Sequence, residues 1–197
     1  MTIWIDTRLN EEEMNFLNVA ISEENKKQFE QMIGEPKSEL IKDKDNWFYE
    51  TVLKKLTERM FYRDWNNYYR CHIEKKESPP EFEMINFWVN YQKQHEFNPI
   101  HNHSGLFSFT VFIKIPTHWQ DQHANTVAAH SNVPFASDFA FILGREQGRI
   151  QPMNIPLCPQ DEGRMLFLPA WLQHQVYPFY GTEEERITIS GNIDYLN

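Results

Sequence analysis

The sequence predicts an α+β protein that is mainly β, a β-sandwich or closed jelly roll with helices packed on its outside. Three observations carry this. Apolar residues recur at helical steps only in the first third of the chain, and from residue 81 onward the period becomes that of strands. The strand-like runs then follow one another across short turn-forming segments, as an antiparallel sheet requires. With 197 residues, 41% hydrophobic and 15% aromatic, the chain can bury one substantial core. We expect a single domain over 1–197: a helical part at 1–80, a β core at 81–197, and a long loop at 117–137.

Taken in order, "SEENKKQFEQMIG" reads as a helix opened by Ser22, with Phe29 and Met32 on one side and Gly34 as its stop. In "DNWFYETVLKKLTERMFYRDW" the apolar Phe48, Val52, Leu53, Leu56 and Met60 fall at three- and four-residue steps, so a second helix buries one face. "EFEMINFWVNYQ" follows Pro79 and Pro80 and is rich in residues that favour strands. "LFSFTVFIKIP" alternates, with Phe107, Phe109, Val111, Ile113 and Ile115 on one face and a mixed set on the other. "DFAFIL", "RMLFLP", "HQVYPF" and "RITISGNID" are further strands, punctuated by "GREQG", "PQDEG" and "YGTEEE". Segment 117–137 carries His118, His123 and His130 with little periodicity, and its expected use is as a lid.

Charge and composition exclude several classes. The net charge is −9, and basic residues form no long run, so binding to nucleic-acid backbone is not indicated. No apolar stretch reaches the length of a membrane span and the first residues do not resemble a secretory signal, so a cytoplasmic location is expected. Cys71 and Cys158 lack metal-type spacing and are expected to be free, buried thiols.

The candidate chemistry starts at "NPIHNHSGLF". In extended chain, side chains two residues apart point the same way, so His101 and His103 present two imidazoles to one ion. A surface turn that contains histidines would read the same. A third ligand could come from His174, which begins a strand after the Pro169–Ala170 turn, although that residue alone reads more readily as a core histidine bonded to a carbonyl. The last strand adds weight. Arg186, Thr188, Ser190 and Asn192 share one face, and Ile187, Ile189 and Ile193 the other. An arginine followed by small hydrogen-bonding residues suits a carboxylate, which guanidinium grips through two parallel bonds.

In their order, "FWVNYQ", "NPIHNHSGLFSF", "PQDEGRMLFLPAWLQHQVYP" and "ERITISGNID" resemble the 2-oxoglutarate and Fe(II)-dependent oxygenase superfamily. More narrowly they resemble members found widely in phages and marine bacteria, over residues 82 to 193. The resemblance implies a double-stranded β-helix (a jelly-roll, cupin-like core), with Fe(II) held by His101, His103 and His174. It also implies that Arg186 binds the distal carboxylate of 2-oxoglutarate, assisted by Thr188 or Ser190, with Asn90 and Asn192 lining the cosubstrate pocket. Oxygen and 2-oxoglutarate would be consumed, succinate formed, and a substrate hydroxylated, whether a protein side chain, a metabolite or a nucleotide. In a phage-encoded protein the location would be the host cytoplasm. One departure stands out: the superfamily's usual second ligand is Asp or Glu, and His103 takes its place here. Glu96 could then approach from elsewhere, and His95 could compete as a ligand. The alternatives are a cupin-like metal enzyme that does not use 2-oxoglutarate and a non-catalytic jelly-roll binding module.

Overall fold

The computed structural model describes residues 3–22, 27–28, 37–62, 80–125, 132 and 134–196. Two antiparallel sheets form the frame. Their strands are Ile5–Arg8 (β1), Lys27–Gln28 (β2), Lys37–Leu40 (β3), Phe82–Gln92 (β4), Asn98–His101 (β5), Phe107–Lys114 (β6), Phe139–Gly144 (β7), Ile150–Ile155 (β8), Arg164–Pro169 (β9), His174–Val176 (β10) and Arg186–Tyr195 (β11). The larger sheet has the order β1-β9-β6-β11-β4-β3-β2 and the smaller one β5-β10-β7-β8. This is the expected jelly-roll arrangement.

Strict alternation gives the larger sheet two different faces. Phe87 and Val89 of β4, Phe107, Phe109 and Val111 of β6, Phe167 of β9, and Ile189 and Ile193 of β11 join one buried cluster with the helices. Residues one step along the same strands point into the sandwich, where Phe112, Leu166 and Leu168 meet Phe139, Phe141 and Leu172. Gly191 marks a close approach across the sheet, since a Cβ there would lie 2.6 Å from the Phe109 ring and 2.7 Å from the Asn86 carbonyl oxygen. Only a residue without a side chain lets that ring lie across β11.

The helical layer covers the first face. Glu11–Ser22 (α1) opens with a reciprocal cap in which the Glu13 N–H donates to Asn10 Oδ1 and the Asn10 N–H to Glu13 Oε2, both at 2.9 Å. A second helical stretch starts where the Asp43 carboxylate accepts the N–H groups of Phe48 and Tyr49, each at 2.8 Å. It runs through a π-turn at Tyr49–Leu53 into Lys54–Met60 (α2). Phe48, Val52, Leu53, Leu56 and Met60 are all buried, as the spacing predicts. Truncating such a ring as Phe48 to alanine costs about 3–5 kcal/mol.

Several expectations are corrected. Ser22 closes α1 and does not open a helix, and Lys27–Gln28 is a strand paired with β3; Phe29, Met32 and Gly34 lie outside the described residues. The first 80 residues are not purely helical, because β1 pairs with β9 and β3 with β4. These short outer strands complete the hydrogen bonding of longer neighbours, which a local period does not reveal. Segment 117–137 contains a helix, Trp119–Ala124 (α3), capped by the His118 side chain, which accepts from the Gln120 N–H. Cys158 is free but only half-buried, its Sγ donating to Asp161 Oδ2 at 3.2 Å; Cys71 is outside the described residues. Among the described residues no helix is long and apolar enough to cross a membrane.

Candidate functional site

Three histidines meet at one end of the sandwich. His101 closes β5 and His174 opens β10, and the two are direct partners in the antiparallel ladder. His103 lies two residues past His101 and is fixed by its N–H, which donates to the Ala170 carbonyl at 2.9 Å. One ligand nitrogen from each comes within 4.8 Å of the others. His103 Nε2 and His174 Nε2 are 3.2 Å apart.

Backbone carbonyls determine which ring nitrogens face inward. His101 Nδ1 donates to the Pro99 carbonyl at 2.7 Å and His174 Nδ1 to that of Leu172 at 2.9 Å. A carbonyl can only accept, so in the neutral rings Nδ1 carries the proton and Nε2 offers a lone pair. This is the arrangement of partners that orients metal-binding imidazoles. Burial, then the neighbouring His101, pushes His103 down to about 4. Burial also lowers His174 to about 3, with His101 and His103 adding to the effect and the Leu172 carbonyl opposing it. Both rings are therefore neutral at physiological pH, the form that ligates. The His174 Nε2 lone pair points at His103, where a proton on His103 Nε2 or a shared cation satisfies both. The donor set fits a divalent transition metal.

The other end of the same cavity is arginine. Arg186, from the first position of β11, is 1% exposed, the largest fully buried side chain among the described residues. One terminal nitrogen donates to Gln92 Oε1 at 3.2 Å, the other to the Ser137 carbonyl at 2.8 Å and to Ser137 Oγ at 2.5 Å. The Phe179 ring lies 5.1 Å from its carbon centre. The Nε has no partner, and among the described residues no carboxylate lies within ion-pairing distance of the guanidinium. Burial pushes Arg186 down to about 10, opposed by the charge of Asp138, so it stays cationic at neutral pH. A buried cation held only by neutral acceptors calls for an anion.

Polar residues of the larger sheet's inner face join the two ends. Thr188 stands opposite Asn90 across the ladder, Ser190 opposite Trp88 and Thr110, and Ser38 opposite Asn90. Ser38 Oγ donates to Asn90 Oδ1 at 2.6 Å, and Asn90 Nδ2 to Thr188 Oγ1 at 3.3 Å. The cavity holds about 180 Å³ and, although the chain is acidic overall, no Asp or Glu among the described residues lines it. That is below the roughly 300 Å³ at which pockets for drug-sized ligands begin. It suits a small anion that spans from arginine to the histidines.

The structure thus brings together His101, His103, His174, Arg186, Thr188, Ser190 and Asn90 around one cavity. Asn192 is buried but does not line it, its Nδ2 lying 3.4 Å from Ser104 Oγ. Glu96 is spent on its own turn, accepting from the Lys93 N–H at 2.8 Å, and His95 is exposed with its ring against Tyr180. Neither reaches the histidine cluster. His118 caps α3 and His123 pairs with Asp138; His130 lies outside the described residues. Sequence reasoning missed Gln92 and Ser137. The former was readable, two residues beyond Asn90 on the same strand face; the latter sits in a turn with no periodic signal.

A family model described as "Putative 2OG-Fe(II) oxygenase" matches residues 86–192, more than half of the chain and all of the cavity's histidines, with Arg186. No curated protein matches. Among solved structures, the chain resembles the non-heme alpha ketoglutarate dependent carbocyclase SnoK from nogalamycin biosynthesis, with TM-score 0.59, 8% identity, and 98% of this chain and 79% of that one covered. It also resembles a Pseudomonas putida prolyl-4-hydroxylase, with TM-score 0.56, 10% identity, and coverage of 99% and 92%. A third likeness is to the viral collagen prolyl hydroxylase of Paramecium Bursaria Chlorella virus-1, with TM-score 0.54, 12% identity, and coverage of 100% and 97%. At these identities the likeness is one of fold, the jelly roll. The sequence match over the site-bearing strands does the rest: the chain belongs to the 2OG-Fe(II) oxygenase family, enzymes that use ferrous iron, 2-oxoglutarate and molecular oxygen.

Proposed function

We propose that His101, His103 and His174 hold the iron, and that Arg186, with Thr188 and Ser190, holds the distal carboxylate of 2-oxoglutarate while a second molecule is hydroxylated. The observation that carries this reading is the cavity with three imidazoles at one end and an unpartnered guanidinium nitrogen at the other. Bound ferrous iron supplies the oxidative decarboxylation of 2-oxoglutarate to succinate, coupled to attack on a substrate C–H bond.

The chain's own residues bind, orient and exclude. The carbonyls of Pro99 and Leu172 hold His101 and His174 in the tautomer that leaves Nε2 for metal. Arg186 provides a charge that water screens only weakly, because the side chain is buried. Asn90, locked by Ser38, keeps the Thr188 hydroxyl in place. With His103 where the superfamily usually has a carboxylate, the ligand set carries one negative charge fewer, and the dianionic cosubstrate becomes the main counter-charge of the metal. The volume of about 180 Å³ leaves the substrate to approach from outside the sandwich. We place the enzyme in the cytoplasm, with a protein side chain, a metabolite or a nucleotide as the substrate class.

Anaerobic titration of the iron(II)-loaded protein with 2-oxoglutarate tests this. The visible charge-transfer band of a 2-oxo acid chelated to ferrous iron is expected, and Arg186→Gln should shift its half-saturation to far higher concentration. Bound iron with no band in the wild type would sink the assignment and favour metal chemistry without 2-oxoglutarate.

A further inference from the structure

Arg186 is aimed by a segment outside its own strand. We propose that Ser137 is a positioning residue for the cosubstrate anchor, and that His123 of α3 acts on the same anchor through Asp138. The proposal rests on the reading of Arg186 as the 2-oxoglutarate anchor.

Ser137 is fully buried, with φ of +73°, a conformation that L-residues rarely adopt. Its N–H donates to the Pro178 carbonyl at 2.8 Å, and the Asp138 N–H donates to Phe135 at 3.0 Å, so the turn is held on both sides. In this pose both Ser137 oxygens, the carbonyl at 2.8 Å and Oγ at 2.5 Å, accept from the same terminal nitrogen of Arg186. Thr117 Oγ1, 3.0 Å from Ser137 Oγ, fixes the hydroxyl. Glycine would take this φ without strain, so backbone geometry does not explain the serine; the hydroxyl on the guanidinium does.

Asp138 ties the turn to the rest of the molecule. It is 1% exposed, and its two carboxylate oxygens accept from His123 Nε2 and Asn154 Nδ2, each at 2.9 Å. One carboxylate thereby links α3, the start of β7 and β8. Asp138 also stabilises the Arg186 charge from a distance, while the guanidinium's hydrogen bonds go to Gln92 and Ser137. The arginine is thus oriented before the cosubstrate arrives, which removes the entropy of ordering a long side chain from the binding step.

The test is calorimetric titration of anaerobic, iron(II)-loaded protein with 2-oxoglutarate, alongside metal content and thermal melting, for Ser137→Gly, His123→Ala, His123→Gln and Arg186→Lys. Ser137→Gly is expected to bind 2-oxoglutarate roughly tenfold more weakly, the effect of one lost hydrogen bond to a charged group. It should keep its metal and melt no lower than wild type, because backbone strain is relieved. In turnover the KM for 2-oxoglutarate should rise with kcat preserved at saturation. His123→Ala should weaken binding severalfold, and His123→Gln, whose amide still donates to Asp138, should restore it. Wild-type affinity in Ser137→Gly beside weak binding in Arg186→Lys would overturn the proposal and leave the function standing. Wild-type affinity in Arg186→Lys would overturn both. Loss of metal and melting temperature together in Ser137→Gly would mark a merely structural serine and overturn it too.

Discussion

The two ends of the cavity are built on opposite principles. The histidine end belongs to the smaller sheet, on strands of four and three residues, and His101 and His103 remain partly accessible. The arginine end belongs to the central strand of the larger sheet, sealed on one side by β4 and on the other by β6. One end relies on backbone carbonyls to orient rings that, on the proposed reading, an ion, oxygen and substrate must reach. The other relies on burial, which makes a single charge worth more than it would be in water. A ligand that bridges them is gripped hard at one extremity and left approachable at the other.

If that contrast is right, removing a ligand at each end should produce different failures. His174→Ala should have the largest effect, reducing bound iron or cobalt to near zero by metal analysis of the purified protein. Arg186→Met should keep the metal and weaken 2-oxoglutarate about 100-fold, within the 2–5 kcal/mol expected for truncating a buried charged partner. Since the buried cation is costly while its anion is absent, the same variant should melt at or above the wild-type temperature without cosubstrate. Equal loss of metal and cosubstrate in both variants would erase the distinction between the ends.

The pH response sharpens the comparison. His103, at about 4, and His174, at about 3, lie below the ordinary histidine value of 6.5 in the folded state. Between pH 6.5 and 3 the unfolded chain takes up protons that the folded chain refuses. Their contribution to stability is therefore full above pH 6.5 and is lost as the pH falls through that window. The metal-free protein's melting temperature should drop steadily from pH 6.5 to 4, and the drop should be smaller in His174→Ala. Arg186 is silent there, with a value of about 10. The smallest effect belongs to the helical layer: Asp43→Ala removes the cap of the helix leading into α2 and should cost about 1 kcal/mol in thermal unfolding, with metal and cosubstrate affinity unchanged.

What the sequence revealed follows the same physics. β6 and β11 were legible from their alternation, β4 from its β-branched and aromatic residues, and β7, β9 and β10 as short runs bounded by turn-forming segments. His101 and His103 were legible from their two-residue spacing, His174 from its place at a strand start, and Arg186 from the polar face it shares with Thr188, Ser190 and Asn192. α1 was missed although Asn10 and Glu13 spell its reciprocal cap. β8 was missed because Ile150, 73% exposed, and Pro152 sit on an outer strand that carries no alternation. Ser137 was invisible because its role depends on a backbone turn and on an arginine 49 positions away, neither of which leaves a local pattern.

The pairing of His101 with His174 has a further consequence. His103 and His174 are 71 positions apart, and an ion joining these rings would close the chain between them into a loop. In chain-entropy terms that is the work of a disulfide, about 4 kcal/mol for a loop of this size. The iron would then be a removable clasp as well as a reagent, the stripped enzyme keeping its fold but losing its cross-link. Metal supply would set how long each molecule survives proteolysis as well as whether it turns over.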